Sequence, residues 1–378
     1  MKKAIIVTPY ADPERGACSI RANFFAESLK SIGYITEVYS IKRESIQETK
    51  EVKRLASGFE FFKKIIEQKP KLVVAVSPPI VPVFFSLLAS KITGAKFVID
   101  AKDDPKYYEK EFSSLQKKIK QQIFLLVRRF TYTFSDALLF LTDSDYAEVK
   151  IDYSISEKKM FLVMNGTNTK LIKPSTKLRA EFRKENGLQD ELLINYSGSL
   201  GDEEVVEFLN AIASFVKKNK AMILLVIAHD KSRFGKKEFE ELTSKISSLN
   251  IQNKVILKKN VDYSEMPRYY SASDIGIIPW NSSMKNSIPV KLFDYTSAGL
   301  MVVAKGTKDS ELHQFFKKYS LGEFYFDWDS FRKEIEKSFT QIKKIQQIGL
   351  ANRIVAENFF DRKLQEKKFK QVIEFLEK

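Results

Sequence analysis

The stretch Asn286-Ser-Ile-Pro-Val-Lys-Leu-Phe-Asp-Tyr-Thr-Ser-Ala-Gly-Leu-Met-Val-Val-Ala304 decides how this chain is read. Ser287 can cap a helix through its hydroxyl, and Pro289 fits the first turn, where its missing N–H costs nothing. The helix is expected to run to about Ala298, stop at Gly299 and feed an apolar strand from Leu300 to Ala304. Upstream, Ile275 to Pro279 reads as a second buried strand, followed by a loop from Trp280 to Lys285. A loop that leaves a strand's C-terminal end and opens a helix gathers unpaired N–H groups and a positive dipole end, which suits phosphate. Lys291 adds a cation near that end, and Asp294, one turn deeper, can accept ribose hydroxyls. Two readings stand: a nucleotide-diphosphate cradle, or an ordinary strand–loop–helix with Lys291 solvated and Asp294 exposed. The stretch lacks the glycine signature of stronger phosphate loops.

Working outward, the same alternation of short apolar runs and helical patterns covers most of the chain. Strands are expected at 4–8, 35–40, 72–77, 96–100, 137–142 and 161–164, with helices near 19–32, 58–67, 83–92, 112–133 and 144–152. After Pro174 the alternation restarts, with strands near 192–197, 222–228, 254–257, 275–279 and 300–304 and helices near 203–218, 236–248, 264–272 and 289–298. Such alternation implies parallel sheets covered by helices on both faces. At 378 residues there is room for two such domains, each with its own core. Beyond about residue 308 the strand signal fades into Glu311 to Lys318, then Leu321 to Trp328, then helices.

Composition narrows the chemistry. With 44% hydrophobic and 29% charged residues the chain is an ordinary globular protein rather than a disordered one. One cysteine, Cys18, excludes an internal disulfide and fits a reducing compartment. Two histidines, His229 and His313, with no Cys/His cluster at ligand spacing, leave little for a structural zinc. His229 ends the apolar run Met222 to Ala228, where a structural role and a ligand contact both fit. The apolar run after Met1-Lys2-Lys3 is too short for a signal peptide. Leu72 to Ser90 is uncharged and long enough to suggest a membrane span, but Pro78, Pro79 and Pro82 break it into strand, turn and helix. The expected location is the cytoplasm.

The net charge is +15, divided into +8 over residues 1–172 and +7 over the rest, so it is spread rather than held in a tail. A local peak lies at Lys106 to Arg129, with seven basic and two acidic residues. There Leu115, Ile119, Ile123, Leu126, Val127 and Phe130 fall at helical spacing among Lys117, Lys118, Lys120, Arg128 and Arg129. A basic amphipathic helix can lie on anionic lipid, gaining about 1 kcal/mol per surface cation. It can equally pack its apolar stripe on its own domain. Residues 106–130 are therefore the candidate for peripheral contact with the inner membrane face.

The 286–304 stretch resembles the Ser-x-Pro-x-Lys-Leu-x-Glu/Asp-Tyr-x-x-x-Gly segment of family 4 glycosyltransferases, which have the GT-B fold. Further segments match that family in order. Val76-Ser77-Pro78-Pro79 resembles its strand-end Ser-Pro-Pro, and Asp100-Ala101-Lys102-Asp103-Asp104-Pro105 resembles its Asp-x-Arg-Asp-x-Trp-Pro. Asn165-Gly166 with Pro174 resembles the segment before the interdomain linker, and Tyr196 to Gly201 the first phosphate-side loop of the second domain. Tyr270 to Pro279 is similar to the segment that introduces the donor loop. The resemblance runs from near residue 16 to about 304. It implies two doubly wound Rossmann-like domains facing across a cleft: 1–172 on the acceptor side and 173–359 binding the nucleotide sugar. A final helix, about 360–378, would return to the first domain, with Phe359, Phe360, Leu364, Phe369, Val372 and Phe375 as its apolar face.

The resemblance also implies a site, at the strand ends where such sheets bind ligands. Donor contacts fall to Gly16, Gly198, Ser199, Ser287, Ile288, Pro289, Val290, Lys291 and Asp294. Asp103 and Lys291 take the catalytic roles, and Asp100 and Lys102 line the acceptor side. Asp100 has a second reading, as a brace for its own loop, and the loop at Gly16 one as a flexible connection. Lys102 and Asp104 stand where the family has arginine and tryptophan. Ser199 and acidic residues stand where many members place an arginine and a lysine, and Asn286 where many have an acidic residue. The implied reaction moves a sugar from a nucleotide diphosphate to an acceptor hydroxyl with retention, on a glycan or lipid-linked acceptor. No cofactor, no metal and no nucleic acid is expected. Asp143-Ser144-Asp145 and Asp327-Trp328-Asp329 carry the DxD pattern of metal-binding transferases, but Asp143 and Asp145 read better as the cap of a helix after a strand, and Asp327 and Asp329 as part of a late loop. A GT-B epimerase and a basic binding protein remain as rivals.

Overall fold

The computed structural model describes all residues except 1, 13, 15, 44–48, 50, 78, 102–114, 202, 229–235 and 282–286, and the side chains of 115–118, 120 and 236. The chain forms two compact units, Met1–Asn165 with Gln365–Lys378, and Gly166–Leu364.

In the first unit the order is β1 (Lys2–Thr8), α1 (Ala17–Lys30), β2 (Tyr34–Ile41), β3 (Val52–Leu55), α2 (Gly58–Gln68), β4 (Leu72–Ser77) and α3 (Ile80–Thr93). It continues through β5 (Lys96–Ala101), α4 (Leu115–Phe134), β6 (Ala137–Phe140), α5 (Asp143–Tyr153) and β7 (Met160–Leu162). The parallel sheet runs β3-β2-β1-β4-β5-β6-β7. β1 shows why both faces are covered. Ala4 and Ile6 join a core with Phe24, Phe25, Phe369 and Val372, while Ile5 and Val7 join another with Phe61, Val83, Leu87 and Tyr132. Alternate strand residues point to opposite faces, so a strand apolar at every position needs helices on both. β3 was not foreseen; its four residues include Lys53 and Arg54.

The second unit starts with α6 (Thr176–Glu185), a largely polar helix also absent from the sequence reading. Then come β8 (Leu192–Gly198), α7 (Val205–Lys218), β9 (Ala221–Ile227), α8 (Lys236–Ser248), β10 (Val255–Lys259), α9 (Met266–Ala272) and β11 (Ile275–Pro279). α10 (Val290–Ser297), β12 (Met301–Lys305), α11 (Glu311–Tyr319), β13 (Gly322–Tyr325), α12 (Trp328–Phe339) and α13 (Ile342–Val355) follow. The parallel sheet is ordered β10-β9-β8-β11-β12-β13, so the strand signal that faded after residue 308 does yield one more strand.

α14 (Arg362–Glu377) closes the chain, and its residues from Gln365 belong to the first unit. Phe369, Val372, Ile373 and Leu376 are its buried face, whereas Leu364 and Phe375 stay partly exposed. Phe360 packs in the second unit, 5.2 Å from Phe293 and 5.4 Å from Phe315 between ring centroids. The apolar residues expected on one helix face thus serve two cores.

Both sheets reverse strand order once, β1/β4 in the first unit and β8/β11 in the second. Loops diverge there, and open parallel sheets bind ligands at that crevice. Gly16 closes the loop after β1. Gly198 ends β8, and the start of α10 comes after β11.

Candidate donor site

In the loop after β1, Ala11, Asp12 and Glu14 are tied to Arg43 and to Arg54 of β3. Glu14 is buried and accepts from Arg54 Nη1 at 2.6 Å, Arg43 Nη1 at 2.9 Å and the Ala11 N–H at 3.2 Å. Arg54 Nη2 donates back to the carbonyls of Ala11 and Asp12, at 2.9 and 2.7 Å. Gly16 caps α1 at φ 146°, a conformation glycine adopts without strain. None of Glu14, Arg43 and Arg54 was foreseen, since only the fold brings β3 beside this loop.

Asp100, expected on an open acceptor side, is instead enclosed. Both its oxygens accept from Arg21, at 2.8 to 3.1 Å, and neither side chain is more than 2% exposed. Arg21 also donates to the carbonyls of Val163 and Met164. Arg21 belongs to α1, and the loop that Asp100 was alternatively expected to brace, 102–114, lies outside the described residues. Lys102, Asp103, Asp104, His229 and Asn286 lie outside the described residues.

In the second unit four elements meet at one corner. α10 starts at Val290 with Pro289 as N-cap and no side-chain cap, so Ser287 does not cap it. Pro289 holds φ −66° and ψ 137°, setting the helix start itself. Gly299, at φ 72°, lies just past the helix end, and β12 follows. Ser287, Ile288, Pro289 and Val290 form the approach to the helix.

Lys291, in the first turn, is buried rather than solvated. Its Nζ donates to both carboxylate oxygens of Glu203, at 2.6 and 2.8 Å, and lies 4.1 Å from the Tyr196 ring centroid. Burial lowers the Lys291 pKa, while the Glu203 charge and hydrogen bond oppose that shift. Gly198 is required by close approach: a Cβ there would stand 2.5 Å from Lys291 Nζ. Tyr196 donates through its hydroxyl to the carbonyl of Ser199 at 2.7 Å, fixing the loop's main chain. Next to this pair, Lys305 donates to Glu204 at 2.8 Å, and Trp328 Nε1 to the same carboxylate at 2.8 Å. The loops are also tied by the Glu204 N–H to the Pro279 carbonyl at 2.8 Å. Glu203, Glu204 and Lys305 were not foreseen as a group.

Asp294 is enclosed too. Its Oδ1 accepts from Thr167 Oγ1 at 2.6 Å and from the Tyr263 hydroxyl at 3.0 Å, so among the described residues both bonds fall on one oxygen. Burial raises its pKa against the hydroxyl bonds and the Arg362 charge. Tyr295, the next residue, lies over Gly276 and accepts from the Ser197 N–H at 2.8 Å, clamping α10 across β11 to β8. Thr167 bonds Phe360 and Arg362 through its main chain, at 2.9 and 2.8 Å. The first and last stretches of this unit therefore run side by side under Asp294.

Residues 179–353 match the family model of the group 1 glycosyl transferases. That match spans α6 to α13, and so holds every donor-site residue from Tyr196 to Lys305. It supports glycosyl transfer as the chemistry of this chain. The fold agrees: both units match GT-B glycosyltransferases of known structure. Sucrose-phosphate synthase from Thermosynechococcus elongatus aligns over 100% of this chain and 99% of its own, at 16% identity and TM-score 0.76. HepE from Anabaena, solved in complex with UDP-glucose, aligns over 100% of both chains at 14% identity and TM-score 0.74. WaaG, a glycosyltransferase involved in lipopolysaccharide biosynthesis, aligns over 96% of this chain and 98% of its own, at 16% identity and TM-score 0.74. No curated protein sequence matches significantly.

The first DxD string opens α5 as expected, while the second, expected in a late loop, opens α12 instead. Thr142 caps α5 by accepting from the Asp145 N–H, and Asp327 caps α12 by accepting from the Ser330 N–H. Among the described residues no group of three His, Cys, Asp or Glu side chains could hold a metal ion, and no helix is long and apolar enough to cross a membrane.

The basic helix α4 buries some polar side chains and exposes part of its apolar stripe. Arg128, Thr131, Tyr132 and Ser135 are buried, while Ile119, Ile123, Leu126, Phe130 and Phe134 are exposed, Leu126 by 67%. Part of its apolar stripe packs on its own domain, through Phe130 against Phe84 of α3, and part is exposed, so the expected packing holds in part. Phe130 sits 5.9 Å from Phe84 and 4.5 Å from Phe134.

Proposed function

We propose that this protein is a retaining glycosyltransferase that takes a hexose from a nucleotide-diphosphate sugar to an acceptor hydroxyl on a glycan or lipid-linked chain. One observation carries the reading. The Gly198 loop, the Lys291 ammonium and the N-terminus of α10 converge at the β8/β11 switch point, inside the region matched by the transferase family. Helix N–H groups at Val290 and Lys291 and the nearby ammonium suit a diphosphate leaving group. Among the described residues both Asp294 bonds fall on Oδ1, which supports Oδ2 as the atom that meets ribose hydroxyls. The UDP-glucose complex of the structurally similar HepE supports a uridine nucleotide as the first to test. Asp103 is the proposed acceptor-side group. The donor's own phosphate takes up the acceptor proton in front-face attack.

The exposed stripe of α4 supports contact with a membrane surface that carries the acceptor. It joins exposed Ile123, Leu126 and Phe130 to a segment with seven basic and two acidic residues.

The reading is tested by calorimetric titration with UDP, GDP and ADP on the wild type, Asp294→Ala and Lys291→Ala. Binding of one nucleotide, lost in both variants, supports the transferase and names the donor class. A folded protein that binds none of the three overturns the donor site.

A further inference from the structure

The donor site so proposed has an unusual charge balance. A nucleotide diphosphate brings at least two negative charges, yet both lysines at this corner are already neutralised, Lys291 by Glu203 and Lys305 by Glu204. The loop offers Ser199 rather than a cation. Glu203 is not a distant partner: both its oxygens lie on the Lys291 ammonium, at 2.6 and 2.8 Å. The Tyr196 ring and the Cβ-less face of Gly198 close other sides of the same ammonium. A phosphate arriving at Lys291 meets an ammonium whose coordination is already taken up.

Resting on the donor-site reading above, we propose that Glu203 is a built-in competitor: in the nucleotide-free protein its carboxylate holds the place on Lys291 that the donor's diphosphate takes. Donor binding is then an exchange of one anion for another on a single ammonium. The arrangement has a physical use. A buried ammonium without a counter-ion would be strongly destabilising or would lose its proton. Glu203 keeps Lys291 charged while the site is empty. The carboxylate hangs from the short segment between β8 and α7. The main chain there is tied, by the Glu203–Trp280 bridge and the Glu204 N–H to Pro279. The exchange therefore needs only side-chain rotation, and the loop stays in place. The cost is affinity, since the ligand must displace the resident anion.

Glu203→Gln tests this, because the amide keeps the shape and removes the charge. Titrations with UDP, GDP and ADP are run on the wild type, Glu203→Gln, Lys291→Ala and the double variant, with the parent nucleoside of the preferred nucleotide as control. Glu203→Gln should bind that nucleotide about tenfold more tightly. The gain should vanish in the double variant, and nucleoside binding should not change. If the variant is less stable, the nucleotide-induced rise in melting temperature should still be larger than in the wild type. A wild type that binds nucleotide and a Glu203→Gln that binds it equally or more weakly overturns the competitor role and leaves the donor site standing. No binding by either overturns both.

Discussion

Arg21 and Asp100 form a buried ion pair, the guanidinium donating to both carboxylate oxygens at 2.8 to 3.1 Å where α1 meets the end of β5. Removing one partner of such a pair leaves an uncompensated buried charge. Arg21→Ala or Asp100→Ala should therefore cost about 3–5 kcal/mol. Chemical denaturation checks this, and the Arg21→Met/Asp100→Leu double variant should lose less than the two single losses added together.

Asp294→Asn should separate charge from shape. Burial holds the Asp294 carboxyl above its ordinary value of 3.8, so the folded protein binds this proton more tightly than the unfolded chain. Its contribution is full below the ordinary value and is lost as pH rises through the folded one. The variant should then be at least as stable as the wild type at neutral pH, with the difference closing below about pH 4. Asp294→Ala, which strands the Thr167 and Tyr263 hydroxyls, should cost about 1–3 kcal/mol. Thermal melts across pH decide both.

Gly198→Ala should damage binding more than folding. The new Cβ would meet Lys291 Nζ at 2.5 Å, at the end of a flexible side chain, so the ammonium must swing away. Nucleotide affinity should fall about tenfold, the loss of one charge-assisted contact. An unchanged dissociation constant would remove Lys291 from the phosphate site.

Ile123→Glu and Leu126→Glu on α4 should leave stability within about 0.5 kcal/mol of the wild type, because both side chains are already exposed. Cosedimentation with vesicles containing anionic lipid should be lost in both. Retained sedimentation would exclude this face as the membrane contact.

Much of the fold was legible in the sequence. Runs such as Leu72 to Val76 and Met222 to Ala228 are apolar at every position, as expected of a strand covered on both faces. β3 and α6 escaped because each carries few apolar residues, and neighbours pin them in place. The Ser287 cap failed for a local reason: Pro289 itself fixes the dihedrals of the N-cap. At the site, Lys291 and Asp294 were legible as residue types in a motif, but their partners were not.

The sequence alone determined two parallel α/β domains, the strand-end position of Gly198 and Lys291, and the amphipathic character of α4. Those follow from periodicity and local turn chemistry, which act over a few residues. Only the tertiary structure decided that Glu203 meets Lys291 across 88 positions, that Thr167 meets Asp294 across 127, and that Arg21 encloses Asp100. It also decided that α4 buries Arg128 and Thr131 while leaving Ile123 and Leu126 exposed. Burial and Coulomb interactions depend on distance in space, and in these sheets crossovers bring distant loops to one switch point.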